Sequence, residues 1–282
     1  MAVSPRPEVV GPDGGARGAA AGSLLVIIPA LNEEAALGGV IGELRAWSPD
    51  VHILVVDDGS TDSTVAVARA AGVDVAPLVF NLGVGGALQT GFRYAVRHGF
   101  TRAIQFDGDG QHEASEIPAL LAGLDAGADL VIGSRFAAAA ATPGSGATPG
   151  SGGGSGDGYS VGRVRGGAMR GLQLAVRVLG GRPFTDASSG FRAFSGPLLD
   201  FFAQRYPNEF LGDTAEALLL ACRAGFDVVE VPVRMRPRAG GTPSNGRVKL
   251  AYHYVRVLVS MIGTSSPRRT TARHPVPDSG PR

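Results

Sequence analysis

The stretch Ile104-Gln105-Phe106-Asp107-Gly108-Asp109-Gly110-Gln111-His112 decides how the chain is read. An apolar run of strand length ends abruptly in two carboxylates two residues apart. On extended backbone, side chains at that spacing share a face, and the glycines between and after them let a ligand approach the main chain closely. The pattern recurs upstream. Leu24–Ile28 runs into Pro29-Ala30-Leu31-Asn32-Glu33-Glu34, and His52–Val56 runs into Asp57-Asp58-Gly59-Ser60-Thr61-Asp62. Weaker or shorter runs at Val73–Leu78, Ala103–Phe106 and Leu130–Ile132 complete a set of expected strands. Between them, Glu33–Trp47, Ser63–Ala71, Gly86–His98 and Ala114–Ala126 place apolar residues at helical spacing, with Asp62 or Ser60 positioned to cap the second. Alternation of this kind predicts an α/β domain with a mostly parallel central sheet flanked by helices, Rossmann-like in plan. Ligands of such sheets bind outside the carboxyl ends of the strands, so three acidic loops converge on one crevice.

The residue types in those loops have chemical consequences. Adjacent carboxylates such as Asp57-Asp58 are costly to bring together unless they meet base N–H groups, ribose hydroxyls or a cation. Asp107 and Asp109 are hard oxygen ligands suited to Mg²⁺ or Mn²⁺ bridging a diphosphate, with Gln111 able to add a neutral oxygen. Each motif also has a plainer reading, as a strand-to-helix turn with a capping aspartate or as a polar Asp-Gly turn. His112 by itself reads as structural.

Composition narrows the field. The 282 residues carry a formal charge of +1, but the charge is polarised. Residues 1–136 hold 8 basic and 16 acidic side chains, whereas residues 137–282 hold 18 and 9. Such asymmetry points to two surfaces with different partners. One cysteine, Cys222, excludes internal disulfides and cysteine-based zinc sites. The only lysine, Lys249, follows Val248, which excludes the Gly-Lys-Ser/Thr of a P-loop. The first strongly apolar run is far shorter than the roughly 18–20 residues of a spanning helix. Residues 1–22 lack the basic-then-apolar order of a signal peptide. The expected location is therefore cytoplasmic, with room for peripheral contact at the inner face of the membrane.

The expected layout is a disordered leader over 1–22, one domain over 23–246, an amphipathic C-terminal helix over 247–263 and a disordered tail over 264–282. Inside the domain, the Ala-, Gly- and Ser-rich stretch 137–160 has little to bury and is expected to be a flexible loop; a linker between two domains is the other reading. Helices are expected at Val164–Leu179, Gly196–Gln204 and Thr214–Ala224, and a strand at Val228–Val233.

With these motifs in place, the chain resembles family 2 glycosyltransferases of the GT-A fold. The resemblance rests on Pro29–Glu34, Asp57–Asp62, Asn81-Leu82-Gly83, Asp107–His112, Gly133-Ser134-Arg135-Phe136, Asp186–Phe194 and Glu230-Val231-Pro232-Val233, in that order and spacing. It covers roughly Leu24–Thr242 and is nearest to enzymes resembling dolichyl-phosphate mannose synthase and bacterial polyprenyl-phosphate glycosyltransferases. It implies inverting sugar transfer from a nucleotide-diphosphate donor to an acceptor, a polyprenyl phosphate or else a soluble glycan or small alcohol. It further implies that Pro29, Leu31, Glu33, Asp57 and Asp58, with Asp107 and Gly108, hold the nucleotide sugar. Asp107, Asp109 and Gln111 would hold Mg²⁺ or Mn²⁺, and Arg135 would lie near phosphate. Asp213 and Glu216 fall where the superfamily places an acid near the acceptor, and Asp186 is a rival. The chain departs from the pattern at Val84, where relatives often carry lysine, and it shows no spanning helices after the domain.

Arg234, Arg236 and Arg238 alternate, so an extended strand would turn them to one side, where guanidinium groups suit phosphates on the acceptor, the donor or an anionic bilayer. A solvated basic edge strand explains them too. In the 247–263 stretch, apolar residues interleave with Lys249, His253 and Arg256, fitting an interfacial helix or one packed on the domain. Nucleic acid is not an expected partner, because the first half is acidic and aromatics make up 6% of the chain. A sugar-1-phosphate nucleotidyltransferase would show a Gly-rich basic loop where this chain has Asn32-Glu33-Glu34. A dinucleotide-dependent oxidoreductase would place its glycine fingerprint after the first strand, which Gly83-Val84-Gly85-Gly86 does not do. A non-catalytic nucleotide-sugar-binding protein remains the other class.

Overall fold

The structure, a computed structural model, describes residues 23–137, 184–207 and 213–236. In chain order they form β1 (Leu24–Ala30), α1 (Leu37–Trp47), β2 (His52–Asp57), α2 (Thr64–Ala70), β3 (Asp74–Pro77), α3 (Gly83–Arg97) and β4 (Arg102–Gln105). A 3₁₀ turn at Ala114–Glu116 leads into α4 (Ile117–Asp125), followed by β5 (Leu130–Ser134) and β6 (Arg192–Ser195). The last elements are α5 (Gly196–Arg205), α6 (Asp213–Ala224) and β7 (Val228–Pro232). The seven strands lie in one sheet, ordered β3-β2-β1-β4-β6-β5-β7.

The continuous apolar strands are explained by burial on both faces. Leu25 and Ile27 of β1, with Leu54 and Val56 of β2, enter one core beside Leu88 and Phe92 of α3, Phe202 of α5 and Leu218 of α6. Val26 and Ile28, with Ile53 and Val55, enter the other beside Leu37, Ile41 and Leu44 of α1 and Leu120 of α4. The sandwich is therefore three-layered. Gly91 lets α3 settle onto β1, because a Cβ there would fall 2.5 Å from Ile27. Phe92 is fully buried, with its ring 4.9 Å from Phe194 and 5.1 Å from Tyr206. Truncation at such a site costs roughly 3–5 kcal/mol.

The α/β plan, the mostly parallel sheet and the expected strands hold, with two differences. First, an unexpected strand joins the sheet: β6 runs antiparallel to both β4 and β5 and makes the sheet mixed. This strand has four residues, the first of them the buried Arg192, and so offers only a short apolar run. Second, β7 ends at Pro232, so Arg234 and Arg236 are not on a strand; Met235 makes one antiparallel bridge to His112. Boundaries also move. The first helix starts at Leu37 instead of Glu33, because Asn32 is left-handed (φ 56°) and the residues after it are tied to neighbouring side chains. The third starts earlier than expected, where Asn81 Oδ1 accepts the Gly83 N–H at 3.0 Å. The expected helix at 164–179, the loop at 137–160, the C-terminal helix and both tails lie outside the described residues.

Candidate active site

All the predicted acidic loops open at one edge of the sheet. β1, β2 and β4 are adjacent and parallel, so their carboxyl ends deliver Pro29–Glu34, Asp57–Asp62 and Asp107–His112 together. β5 and β7 bring Arg135 and the segment after Pro232 to the same edge. Because β6 is reversed, its amino end lies there too, and with it the loop 184–191.

The first two loops are stitched to each other. Asn32 N–H donates to Ser60 Oγ at 2.9 Å, and Thr61 N–H donates to Asn32 Oδ1 at 2.8 Å. Glu33 N–H donates to Thr64 Oγ1, and Glu34 N–H donates to Asp62 Oδ2. The N-cap of α2 is Ser63, which makes no side-chain cap bond; Asp62, one residue before it, accepts the Thr64 N–H at 2.9 Å, whereas Ser60 serves Asn32. Pro29, Leu31 and Glu33 are half-buried along this seam.

Asp57 and Asp58 are both buried but differ in their partners. Asp58 Oδ1 accepts the Leu82 N–H at 2.7 Å and so fixes the start of α3. Burial pushes the Asp58 carboxyl above its ordinary range; the Leu82 and Gly83 N–H groups pull it down, and the neighbouring Asp57 charge pushes it up. Asp57 Oδ2 accepts the Ser60 N–H at 3.3 Å, while its buried Oδ1 meets no protein donor. Burying an acceptor without a partner costs about 1–3 kcal/mol, which points to a ligand donor at this position. Gly59 takes φ 78° and rests against the Phe80–Asn81 backbone, where a Cβ would approach to 3.0 Å. The segment beyond it is exposed and apolar: Val79 at 84%, Phe80 at 65%, with Leu82 and Val84 partly covered.

On the third loop, Asp107 is half-buried and Asp109 buried. Asp109 Oδ1 accepts the Gln111 N–H at 3.0 Å. His112 is structural: Nδ1 accepts the Asp107 N–H at 3.0 Å, and its ring stacks on Phe191 at 4.7 Å. Glu33 lies over Gly108, near 3.6 Å from where its Cβ would be. Among the described residues, no group of three or more His, Cys, Asp or Glu side chains is placed to hold a metal. The donor set nevertheless fits Mg²⁺ or Mn²⁺. These ions are held through one or two carboxylates, with substrate phosphates and water supplying the remaining oxygens, and Asp107 and Asp109 are two hard carboxylates on one loop.

Arg135 and Asp186 form a two-pronged pair. Nε donates to Oδ2 at 2.9 Å and Nη2 to Oδ1 at 3.1 Å. Asp186 is buried while the Arg135 side chain is 42% exposed. The hydrogen bonds that Arg135 donates to Asp186 raise its pKa further, so the guanidinium is charged throughout. Asp186 also accepts from Ser188 Oγ at 3.1 Å and, more distantly, from the Arg135 N–H. With both oxygens engaged by donors, Asp186 orients Arg135. Asp213 opens α6, and Glu216 lies half-buried in the same first turn.

Arg234 and Arg236 have carboxylate partners. Arg234 donates to Glu116 at 3.1 Å, and Arg236 clasps Glu43 at 2.7 and 3.3 Å with Glu113 at 3.6 Å. Arg236 N–H donates to the Gln111 carbonyl at 2.8 Å, so the 233–236 segment is strapped across the end of the Asp107–His112 loop. Arg238 lies outside the described residues.

Two residues of this edge, Glu230 and Arg192, stand inside the quoted sequence motifs without an expected role. Glu230 accepts the N–H groups of Thr185 and Asp186 at 2.7–2.9 Å, and Arg192 donates to three backbone carbonyls. Both are lone charges inside apolar strand runs, Val228–Val231 and Phe191–Phe194, and that was the available signal.

Residues 25–153 match the family described as Glycosyl transferase family 2. The polyprenol monophosphomannose synthase of Mycolicibacterium smegmatis is 33% identical over 230 residues, covering 77% of this chain and 78% of that one. This chain belongs to glycosyl transferase family 2. The undecaprenyl-phosphate mannosyltransferase of Micrococcus luteus is 30% identical over 224 residues, covering 77% and 85% of the two chains. A glucosyl-3-phosphoglycerate synthase from Mycobacterium tuberculosis, solved with Mn²⁺, uridine diphosphate and phosphoglyceric acid, superposes with a TM-score of 0.63. At 22% identity, over 86% of this chain and 79% of that one, it shows a shared GT-A-like fold. The glycosyltransferase has, among its described residues, no helix long and apolar enough to cross a membrane.

Proposed function

We propose that this glycosyltransferase moves a sugar, with inversion, from a nucleotide-diphosphate donor to a polyprenyl phosphate at the cytoplasmic face of the membrane. The observation that carries the reading is the pairing, on one sheet edge, of acidic loops with a charged, half-exposed Arg135. The orphaned Asp57 Oδ1 supports a nucleoside N–H or hydroxyl donor beside the Pro29–Glu33 seam. Asp107 and Asp109 would hold Mg²⁺ or Mn²⁺, which when bound neutralises charge on a diphosphate. Arg135, oriented by Asp186, faces the charge that develops as the diphosphate leaves.

In the transfer, an acceptor phosphate oxygen bonds to the anomeric carbon as that carbon's bond to the donor diphosphate breaks. The electron pair leaves on the nucleoside diphosphate. An anionic phosphate needs no proton removed, so no side chain has to act as base. Asp213 and Glu216 then serve to place the acceptor at the start of α6. The names of the two mannosyl-transferring relatives support a lipid-phosphate acceptor. So does the exposed Val79-Phe80 pair beside the donor loops, a surface suited to isoprenoid or bilayer contact.

Calorimetry of nucleoside-diphosphate binding with and without Mn²⁺ tests the donor side. Asp109→Ala should abolish Mn²⁺-dependent binding while the protein stays folded; unchanged binding would sink the metal assignment.

A further inference from the structure

The loop 184–191 carries no regular structure, yet it presents Asp186 to Arg135 and Gly190 to Asp107. Two charged side chains hold it, from opposite ends of its peptide dipoles. The Glu230 carboxylate on β7 accepts the Thr185 N–H (2.7 and 2.9 Å), the Asp186 N–H (2.8 Å) and the Thr185 hydroxyl (3.0 Å). The Arg192 guanidinium on β6, 1% exposed, donates at 2.8 Å to the carbonyls of Ala187 and Ser189. Its third bond, also 2.8 Å, reaches the carbonyl of Thr214 in the first turn of α6. An anion grips the loop's amides and a cation its carbonyls, and charge-assisted bonds of this type are roughly twice as strong as neutral ones. The next bond outward is that of Asp186 to Arg135.

We infer that Glu230 and Arg192 are positioning residues for phosphate recognition, acting through Asp186 on the aim of the Arg135 guanidinium. The inference rests on the reading that Arg135 meets the donor diphosphate. Glu230 touches no part of the exposed guanidinium; it fixes the peptide from which Asp186 projects. Arg192 additionally ties the next part of the loop, through the Ala187 and Ser189 carbonyls, to the helix bearing Glu216, so the phosphate end and the acceptor side of the site share one anchor.

The test is a double-mutant cycle on the full-length chain, read as the dissociation constant of inorganic pyrophosphate in Mn²⁺. Thermal melting of each variant confirms folding. Arg135→Ala should weaken pyrophosphate binding, and Glu230→Gln should weaken it by roughly tenfold, an ordinary coupling for members of one hydrogen-bond network. In the Arg135→Ala background, Glu230→Gln should add no further loss, because its effect passes through that guanidinium. Losses that multiply would show a merely structural role and overturn the inference, as would Glu230→Gln binding like wild type. An Arg135→Ala variant that binds pyrophosphate normally would overturn the phosphate reading and this inference together. If Glu230→Gln does not fold, Arg192→Lys, which keeps the charge and loses the fork, takes its place in the same cycle with the same expectations.

Discussion

Gly190 lies against the carboxylate of Asp107: a Cβ on Gly190 would sit 2.7 Å from Oδ2 and 3.0 Å from Oδ1. That contact joins the loop before β6 to the loop after β4, two segments 83 residues apart in sequence. Backbone conformation does not demand glycine here; space does. Gly190→Ala should therefore displace the Asp107 carboxylate while leaving the sheet intact. Overpacking of this kind costs about 1–3 kcal/mol. Calorimetry should show weakened Mn²⁺-dependent nucleotide binding in a variant whose melting curve stays cooperative.

Asp186 is spoken for by Arg135 and Ser188, and this separates two roles for it. A catalytic base would impose an acidic limb on the kcat profile that disappears when the base is removed. A carboxylate that only orients Arg135 leaves the shape of the profile alone. Asp186→Asn should lower kcat by roughly 100-fold, the scale of losing one preorganised charge contact, with the pH profile unchanged in form.

The Glu43–Arg236 tether gives a pH signature to the strap over the Asp107–His112 loop. Burial raises the Glu43 pKa, but the bonds from Arg236 and the Ala114 N–H outweigh it and leave the carboxyl below its ordinary value. An acid depressed on folding stabilises above its unfolded pKa, and that stability is lost as pH falls through the folded value. Partly exposed pairs are worth at most about 1 kcal/mol, or roughly 2–4 °C in a domain of this size. Glu43→Gln should therefore melt slightly lower than wild type at pH 7. The two should converge once the pH falls through the lowered folded-state value of Glu43.

Much of this edge could be read from the sequence, and the rest could not for definable reasons. The loops after β1, β2 and β4 announce themselves because each follows an apolar run without interruption, so strand and ligand-facing turn are contiguous in the chain. Glu230 acts on peptide groups 44 and 45 residues away, and Arg192 reaches a carbonyl 22 residues away, so only tertiary packing brings these partners near. No local pattern encodes such partners. β6 was overlooked for the related reason that a buried arginine occupies one of its four positions. Strand alternation would turn Arg234, Arg236 and Arg238 to one side, but β7 stops at Pro232, and Arg234 and Arg236 meet carboxylates instead.

Val79 and Phe80 are the most exposed large apolar side chains among the described residues. With the pair seated in the bilayer, Val79→Ser with Phe80→Ser should raise KM for a vesicle-embedded polyprenyl phosphate by roughly tenfold, about 1.4 kcal/mol and a little under what fully burying one such side chain contributes. KM for a short, water-soluble polyprenyl phosphate should not change. Equal effects on both acceptors would argue against lipid contact at this loop.

The central claim is sugar transfer to a lipid phosphate, and product analysis tests it most directly. The purified full-length chain is given Mn²⁺, a panel of nucleotide sugars and a short polyprenyl phosphate alongside free sugars and alcohols. Mass spectrometry then identifies the product, and NMR assigns its anomeric configuration. The expected product is a polyprenyl-phosphate monosaccharide whose anomeric centre is inverted relative to the donor, formed by wild type and not by Asp109→Ala. A sugar found only on a glycan, an alcohol or water, or one transferred with retained configuration, would contradict it.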